Sequence, residues 1–285
     1  MKVTSGAETS VETKSIMQIS AIIPVYNQEA EIPFLLKRLR EALNSTLLNY
    51  EIIIVNDGSR DNTLEILKKE KKLDEHMRVI SYPQNKGKGY AVKKGIMHTC
   101  GDIVLFVDGD LEISPDAIKD YVKELWTCDL VIASKSHPLS KVNVPASRKI
   151  LSRIFNFYVQ VATGIKLKDT QSGLKAGNGN ALRKIFNIIC IDRYAFDVEL
   201  LAIATALNMR IKELPIEITL THRFRVNDIV KMFIDVIAIS HRLRIKLWYH
   251  KQLKLSLQHG LEESGSKKFI VSNNEKIDDK DNRAY

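Results

Sequence analysis

The chain has 285 residues and a formal net charge of +9; 45% of its residues are hydrophobic and 27% are charged. This is the composition of a globular protein with one large or two small domains, and it excludes a fully disordered chain, a collagen-like repeat and a low-complexity scaffold. The cysteines Cys100, Cys128 and Cys190 lack the number and spacing of a disulfide framework or a zinc module, so we expect a reducing compartment.

Short apolar runs alternate with helical patterns in the first half of the chain. Residues 1–17 are polar and aperiodic, and we expect a flexible tail there. Buried strands are predicted from the apolar runs at 19–26, 50–57, 77–82, 102–108 and 129–134. Helical spacing predicts helices between them, at 31–48, 63–72, 89–99 and 115–126. Strands that alternate with helices predict an α/β fold with a mostly parallel central sheet.

The pattern changes after residue 135. An amphipathic helix is predicted at 146–163, with basic residues on its polar side, and a loop over 164–180. Two more helices are predicted at 180–188 and 196–208, and a strand near 211–219.

Residues 226–256 intersperse bulky apolar residues with arginine and lysine. They are predicted to form an amphipathic helical segment that lies on an anionic membrane or, alternatively, packs on the domain or in a homo-oligomer. The apolar run at 232–240 contains Asp235 and is too short for a span, so we expect peripheral attachment at the cytoplasmic face of a membrane. Polar residues 257–285 are expected to be disordered.

Positive charge is concentrated in two windows. Residues 135–175 contain eight Lys or Arg and a single acid, Asp169, and residues 221–254 contain eight Lys or Arg and two acids. Such windows indicate an anionic partner: nucleic acid, an anionic membrane or a phosphorylated substrate. An aromatic-rich RNA-binding signature is missing, so we expect no nucleic acid partner.

Aspartates follow two of the predicted strands, at the sheet edge where α/β proteins bind ligands. Asp108 and Asp110 flank Gly109, and two like charges this close are costly unless a cation lies between them. The sequence therefore predicts Mg²⁺ or Mn²⁺ on a diphosphate, with Glu112 as a third ligand. Asp57 precedes a Gly-Ser turn. Its side chain has two possible roles: contact with a ligand, or a local turn or helix cap.

Residues 85–89, Asn-Lys-Gly-Lys-Gly, precede a predicted helix. Glycines, lysines and a helix N-terminus suit a phosphate, although a solvated basic turn is the alternative. The segment is neither a Walker A loop nor a G-x-G-x-x-G dinucleotide motif.

Four motifs, IIPVYNQE, VNDGSRDNT, NKGKGYAVKKGI and FVDGDLEISP, resemble those of family 2 glycosyltransferases with the GT-A fold. ASKSH, the R-x-x-x-S-R-x-x-N pattern at Arg148–Asn156, KDTQSGLKA and RYAFDVELL are similar to the polyprenyl-phosphate glycosyltransferases, most of all the dolichyl-phosphate β-glucosyltransferases. The resemblance extends over about 19–250 and implies a GT-A catalytic domain at 18–225.

The activity that this resemblance implies is metal-dependent transfer of one sugar, with inversion, from a nucleotide sugar to dolichyl or another polyprenyl phosphate. UDP-glucose is the favoured donor; GDP-mannose and UDP-N-acetylglucosamine are alternatives. A further alternative is a family 2 enzyme that acts on a saccharide or protein hydroxyl, which needs a general base.

Individual roles also follow from the resemblance. Nucleotide-sugar binding falls to Pro24, Tyr26, Glu29, Asp57, Lys88 and Asp108. The implied metal ligands are Asp108, Asp110 and Glu112, and the implied acceptor-phosphate residues are Lys135, Arg148 and Ser152. Lys135 stands where the family has arginine, and Gln28 where it more often has glutamate.

Asp110 and Asp169 are the candidate catalytic residues. Asp169 is expected to act as a base or to orient the acceptor or the sugar; the alternative is an ion pair with Lys166, Lys168 or Arg148. Of the two acids in FDVELL, Glu199 rather than Asp197 is expected to face the sugar, with the other acid available to pair with Arg193.

Overall fold

The computed structural model describes residues 17–110, 113–219, 226–245, 248–249 and 251–255. Apart from Met17, the predicted tails at 1–17 and 257–285 lie outside this part of the chain. Its strands are β1 Gln18–Val25, β2 Asn49–Asp57, β3 Met77–Tyr82, β4 Ile103–Phe106, β5 Leu130–Ala133, β6 Lys141–Asn143, β7 Lys175–Asn178, β8 Ile211–Leu214 and β9 Glu217–Thr219. Its α-helices are α1 Ile32–Asn44, α2 Thr63–Leu73, α3 Lys88–Ile96, α4 Ile118–Glu124, α5 Ala146–Thr163, α6 Gly179–Ile188, α7 Phe196–Ala206 and α8 Val226–Ser240.

Among these described residues, seven strands form one sheet in the order β3-β2-β1-β4-β7-β5-β8, and β6 pairs with β9 in a second sheet. β1 is parallel to β2 and to β4, and β3 is parallel to β2. β7 is antiparallel to both β4 and β5. The predicted α/β fold with a mostly parallel sheet is therefore confirmed.

Apolar side chains cover both faces of the sheet. Because successive strand residues point to opposite faces, Ile53 and Val55 of β2 enter one core while Ile52 and Ile54 enter the other. The first core packs against α3 and α5 to α8, and the second against α1, α2 and α4. Near-continuous apolar strands are therefore the expected consequence of helices on both sides.

The order of the strands places the functional edge. In the sheet, β2 and β3 lie on one side of β1, and β4 lies on its other side. This reversal of direction creates a crevice at the carboxyl ends of β1 and β4. Both β4 and β5 are antiparallel to β7, so Lys135, just after β5, lies at the same edge as Asp108. β7 starts at this edge, with Lys175 as its first residue.

Two predicted elements differ from the structure. Residues 175–178, expected in a loop, form β7; Lys-Ala-Gly-Asn carries no strand signal, and its two ladder partners hold it in place. The strand expected at 211–219 is divided at Pro215, which has no N–H for a ladder. Its first half pairs with β5 and its second half with β6.

In the part of the chain that the structure describes, no helix has the length and apolarity needed to traverse a bilayer.

Candidate active site

The loops that follow β1 and β2 are bonded to each other at the crevice. Asn27, with φ 52°, accepts a hydrogen bond from the Arg60 N–H (2.8 Å), a conformation that asparagine tolerates better than most residues. The Glu29 carboxylate accepts one from the Asn62 N–H (2.8 Å). Glu29 therefore fixes the shape of this edge. Tyr26 is 42% exposed beside it and is free to meet a ligand.

Asp57 holds the basic loop in position. Its buried carboxylate accepts hydrogen bonds from the N–H groups of Lys86 (2.7 Å) and Gly87 (2.9 Å). Gly87 has φ 104°, and a Cβ there would lie 2.6 Å from the carbonyl oxygen of Asp192. Only glycine fits this position without strain. Asp57 thus shapes the loop that was predicted to bind phosphate.

Lys88, the first residue of α3, reaches the carboxylates after β4. Its Nζ lies 2.7 Å from Asp108 Oδ1. Burial opposes the charge of this ammonium, but Asp108, Asp197 and Asp110 outweigh burial and raise the pKa of Lys88. The side chain is therefore a permanent cation between acidic groups at the sheet edge.

Asp108 and Asp110 fit a divalent cation. Asp108 pairs with the Lys88 ammonium, and the negative charge of Asp110 also stabilises this ammonium. The two carboxylates therefore act on the same cation. The Asp108 carboxylate also rests on Gly173, where a Cβ would lie 1.8 Å from its Oδ2. Glu112, the third predicted ligand, lies outside the described residues, and those described bring no three His, Cys, Asp or Glu side chains together as a complete metal site. Two carboxylates suit Mg²⁺ or Mn²⁺ when a diphosphate supplies further oxygens.

Lys135 is held over a buried carboxylate. Asp169, 1% exposed, accepts a hydrogen bond from the Lys135 N–H (2.8 Å), and Lys135 Nζ lies 3.3 Å from the same oxygen. Asp169 also accepts from Gln171 N–H (3.0 Å) and Ser172 Oγ (2.6 Å). Asp169 thus forms an ion pair with Lys135, a partner that the alternative interpretation, with Lys166, Lys168 or Arg148, did not include.

The same contacts bear on the predicted basic role of Asp169. Burial works against its charge, but Lys135, Ser172 and the backbone donors prevail and hold the pKa of Asp169 below its usual range. A carboxylate with a low pKa and several donors is a weak base. The geometry favours the other predicted role, in which Asp169 orients the acceptor site through Lys135.

Arg148 and Ser152 lie four residues apart on α5, so they share one face of that helix. Both are partly exposed. Their face of α5 is therefore accessible to an acceptor.

The acids of α7 are used differently from the prediction. Glu199 is fully buried and accepts hydrogen bonds from Ile191 N–H (2.7 Å), Arg242 Nη2 (3.1 Å) and the Tyr249 hydroxyl. It ties the C-terminal segment to the domain and does not face a sugar. Arg193 pairs with Asp235 of α8 (2.6 Å). The expectation for Glu199 is wrong because its carboxylate is buried and already accepts hydrogen bonds from these three donors.

Asp197 and Lys175 form a buried pair that sequence reasoning missed. Lys175 Nζ lies 2.8 Å from Asp197 Oδ1, and the two residues are 1% and 5% exposed. No signal in the sequence identifies the pair, because residues 175–178 carry no strand pattern and the burial of Lys175 follows from the placement of β7.

We expect Asp169→Asn to destabilise the protein in a pH-dependent way. A depressed folded-state pKa stabilises the fold above the unfolded value of about 3.9, and this contribution is lost as pH falls through the folded pKa. The free energy of unfolding, measured by denaturant titration, should fall by about 2 kcal/mol at pH 7, and the difference from the parent should shrink below about pH 4. Exposed Asp120→Asn is the control. A difference that is constant with pH would contradict the assignment.

Comparisons with known proteins identify the family of this chain. Residues 20–186 match the profile of glycosyl transferase family 2. A dolichyl-phosphate beta-glucosyltransferase of Trichomonas vaginalis is 32% identical over 84% of this chain and 75% of its own length. The enzymes of that name from Dictyostelium discoideum and Saccharomyces cerevisiae are 33% and 34% identical, over 81% and 78% of this chain and 76% and 73% of their own lengths.

Solved structures match the fold. Glucosyl-3-phosphoglycerate synthase from Mycobacterium tuberculosis, in complex with Mn²⁺ and UDP-glucose, gives a TM-score of 0.59 at 22% identity, over 79% of this chain and 78% of that chain. Its complex with UDP gives 0.56 at 22% identity, over 79% of each chain. With the family profile and the curated relatives, this likeness leads to one assignment: the chain belongs to glycosyl transferase family 2, has the GT-A fold and is a glycosyltransferase homologous to the dolichyl-phosphate beta-glucosyltransferases.

Proposed function

We propose that this enzyme transfers glucose from UDP-glucose to dolichyl phosphate, with inversion and with a divalent metal ion. The observation that carries the proposal is the placement of two cations at one sheet edge: Lys88 beside Asp108, and Lys135 over Asp169. One cation suits a leaving diphosphate and the other an attacking phosphate. The names of the curated relatives support this acceptor and sugar.

In the proposed reaction, an oxygen of the lipid phosphate attacks C1 of glucose while the bond from C1 to the UDP oxygen breaks. A single displacement of this kind inverts C1. Lys88 opposes the negative charge that develops on the departing UDP. A divalent ion held by Asp108 and Asp110 would neutralise more of that charge.

The acceptor needs no general base in this reaction. A phosphate monoester has a second pKa of about 6 and is mostly a dianion at pH 7. Lys135 would position this anion, aided by Arg148 and Ser152 of α5. The low pKa of Asp169 is consistent with a site that positions an anion and removes no proton.

Apolar side chains on two adjacent helices support a lipid acceptor. Exposed residues at helical spacing form what we call the α5–α8 face: Ile150, Ile154, Phe157 and Val161 of α5, and Val230, Ile234 and Ile237 of α8, each 53–68% exposed. The two helices pack through Phe155 and Phe233, whose ring centroids are 5.2 Å apart. The sequence had indicated a basic outer side for α5, and the structure adds this apolar stripe to it.

Exposed cations accompany the face, namely Lys149, Arg153, Lys231 and Arg244. An apolar surface with basic residues suits the surface of an anionic membrane. We propose that the α5–α8 face rests on the cytoplasmic side of the membrane that contains the acceptor, which extends the predicted role of residues 226–256 to α5.

Radiolabelled donors test the reaction. Purified protein would be given UDP-glucose, UDP-N-acetylglucosamine or GDP-mannose with Mg²⁺ or Mn²⁺, with and without dolichyl phosphate, beside Asp110→Ala. We expect label from UDP-glucose in the organic phase only when dolichyl phosphate is present, and its loss in the variant. Transfer from another donor would correct the sugar, and metal-dependent UDP-glucose binding without lipid labelling would overturn the acceptor.

Vesicle binding tests the α5–α8 face. Ile154→Glu with Phe157→Glu should reduce the fraction bound to vesicles containing anionic lipid by about tenfold, because two apolar contacts become two repelled charges. Leu73→Glu, at a residue 83% exposed on α2, is the matched control. Equal binding of the double variant and the parent in flotation experiments would count against a membrane role for this face.

A further inference from the structure

A series of contacts through the interior leads from the acceptor-side cation, Lys135, toward the donor site. On the acceptor side, Lys135 pairs with Asp169, and Asp169 accepts a hydrogen bond from Ser172 Oγ (2.6 Å). The carbonyl oxygen of Ser172 then accepts a hydrogen bond from Lys175 Nζ. The segment 169–175 is thus held at its start by the Lys135–Asp169 ion pair and at its end by the hydrogen bond from Lys175 to Ser172.

The series continues to the donor side. Lys175 pairs with Asp197 at 2.8 Å, and the Asp197 carboxylate acts through space on the Lys88 ammonium. The backbone of the same segment touches the donor site at Gly173, against the Asp108 carboxylate. A shift of segment 169–175 would therefore move Asp108 and Lys135 relative to each other.

We propose that the Lys175–Asp197 pair is a positioning element that sets the distance between the donor and acceptor halves of the site. This inference rests on the proposed function for its catalytic consequence. Lys175 is too deeply buried, at 1% exposed, to serve as a binding group, and its ammonium already has two partners. Its charge therefore acts on the protein and not on the substrate.

Burial makes the pair a firm constraint. A buried ammonium without its carboxylate is unfavourable, so movements that separate Lys175 from Asp197 are opposed. Small errors in the placement of reacting groups reduce rate more than affinity. Loss of the pair should therefore lower kcat and leave binding of each substrate nearly unchanged.

The test uses Lys175→Gln with Asp197→Asn, which removes both charges together and keeps groups that can hydrogen-bond each other. The control is Arg40→Gln with Asp74→Asn, which neutralises a 2.7 Å ion pair between α1 and the end of α2. Hydrogen exchange of the amides in 130–138 and 168–176 reports on positioning without any need for turnover. We expect exchange there to be about tenfold faster in the site variant and unchanged in the control.

Kinetics provide the second measurement. Normalised to the number of UDP-binding sites, kcat for glucosyl transfer to dolichyl phosphate should fall about 100-fold, with UDP affinity and the KM for dolichyl phosphate within about threefold of the parent. Unchanged exchange in both segments, or an unchanged normalised kcat, would overturn the inference. So would a parallel loss of UDP binding, which would indicate a purely structural role. If the parent itself does not glucosylate dolichyl phosphate, the proposed function fails, and the exchange data still decide whether the pair positions the segment.

Discussion

Replacing Asp108 by asparagine should lower kcat for glucosyl transfer by about 10³-fold. Asp108 carries out two tasks at the sheet edge: it pairs with Lys88 at 2.7 Å and supplies one of the two carboxylates that fit a divalent cation. Asparagine preserves the shape of the side chain beside Gly173, so the loss isolates the charge. Initial rates should be measured at saturating UDP-glucose while Mn²⁺ is varied.

Two features of the Mn²⁺ titration distinguish an effect of Asp108 on metal affinity alone from an additional effect on the rate at saturating metal. With Asp108→Asn, more Mn²⁺ should be needed for half-maximal rate, and the plateau should remain low because Lys88 has lost its charged partner. Asp116→Asn is the matched control, since Asp116 is exposed and pairs with Arg38 away from the site. A plateau equal to that of the parent would mean that Asp108 affects metal affinity alone.

Lys135→Met should raise the KM for dolichyl phosphate by about 100-fold, since a charged hydrogen bond to phosphate contributes about 2–3 kcal/mol. The donor site lies on the other side of β7, so UDP affinity should stay constant. Asp169 keeps the hydrogen bonds from Gln171, Ser172 and the backbone of residue 135, and the variant should fold. Acceptor titrations in detergent micelles, with isothermal titration of UDP, separate the two affinities.

Lys135→Arg supplies the informative comparison. Arginine retains the positive charge and adds a planar fork that binds phosphate through two contacts, so the KM for dolichyl phosphate should stay near the parent value or fall. Lys141→Met, at a side chain 79% exposed on β6, is the control for a general loss of positive charge. A large increase in UDP dissociation constant for Lys135→Met would place this lysine in the donor site instead.

The outline of this protein could be predicted from local patterns in the sequence. Apolar runs of six to eight residues identified β1 to β5, because a strand covered by helices on both faces needs apolar side chains at nearly every position. Asp57, Asp108 and Asp110 could be placed at one sheet edge because parallel strands end together. The motif resemblance then assigned the chain to its family and suggested the donor and acceptor roles.

The partners of the charged residues depended on the tertiary structure. Strand β7 has little local propensity and exists because β4 and β5 supply hydrogen bonds on both sides. The tertiary structure places Lys175 of β7 beside Asp197, Asp169 beside Lys135 and Glu199 beside Arg242. These pairs join residues 22 to 43 positions apart in the chain. Hydrophobic periodicity reports which face of an element is buried, but a buried charge is paired by whatever the whole fold brings within reach of it.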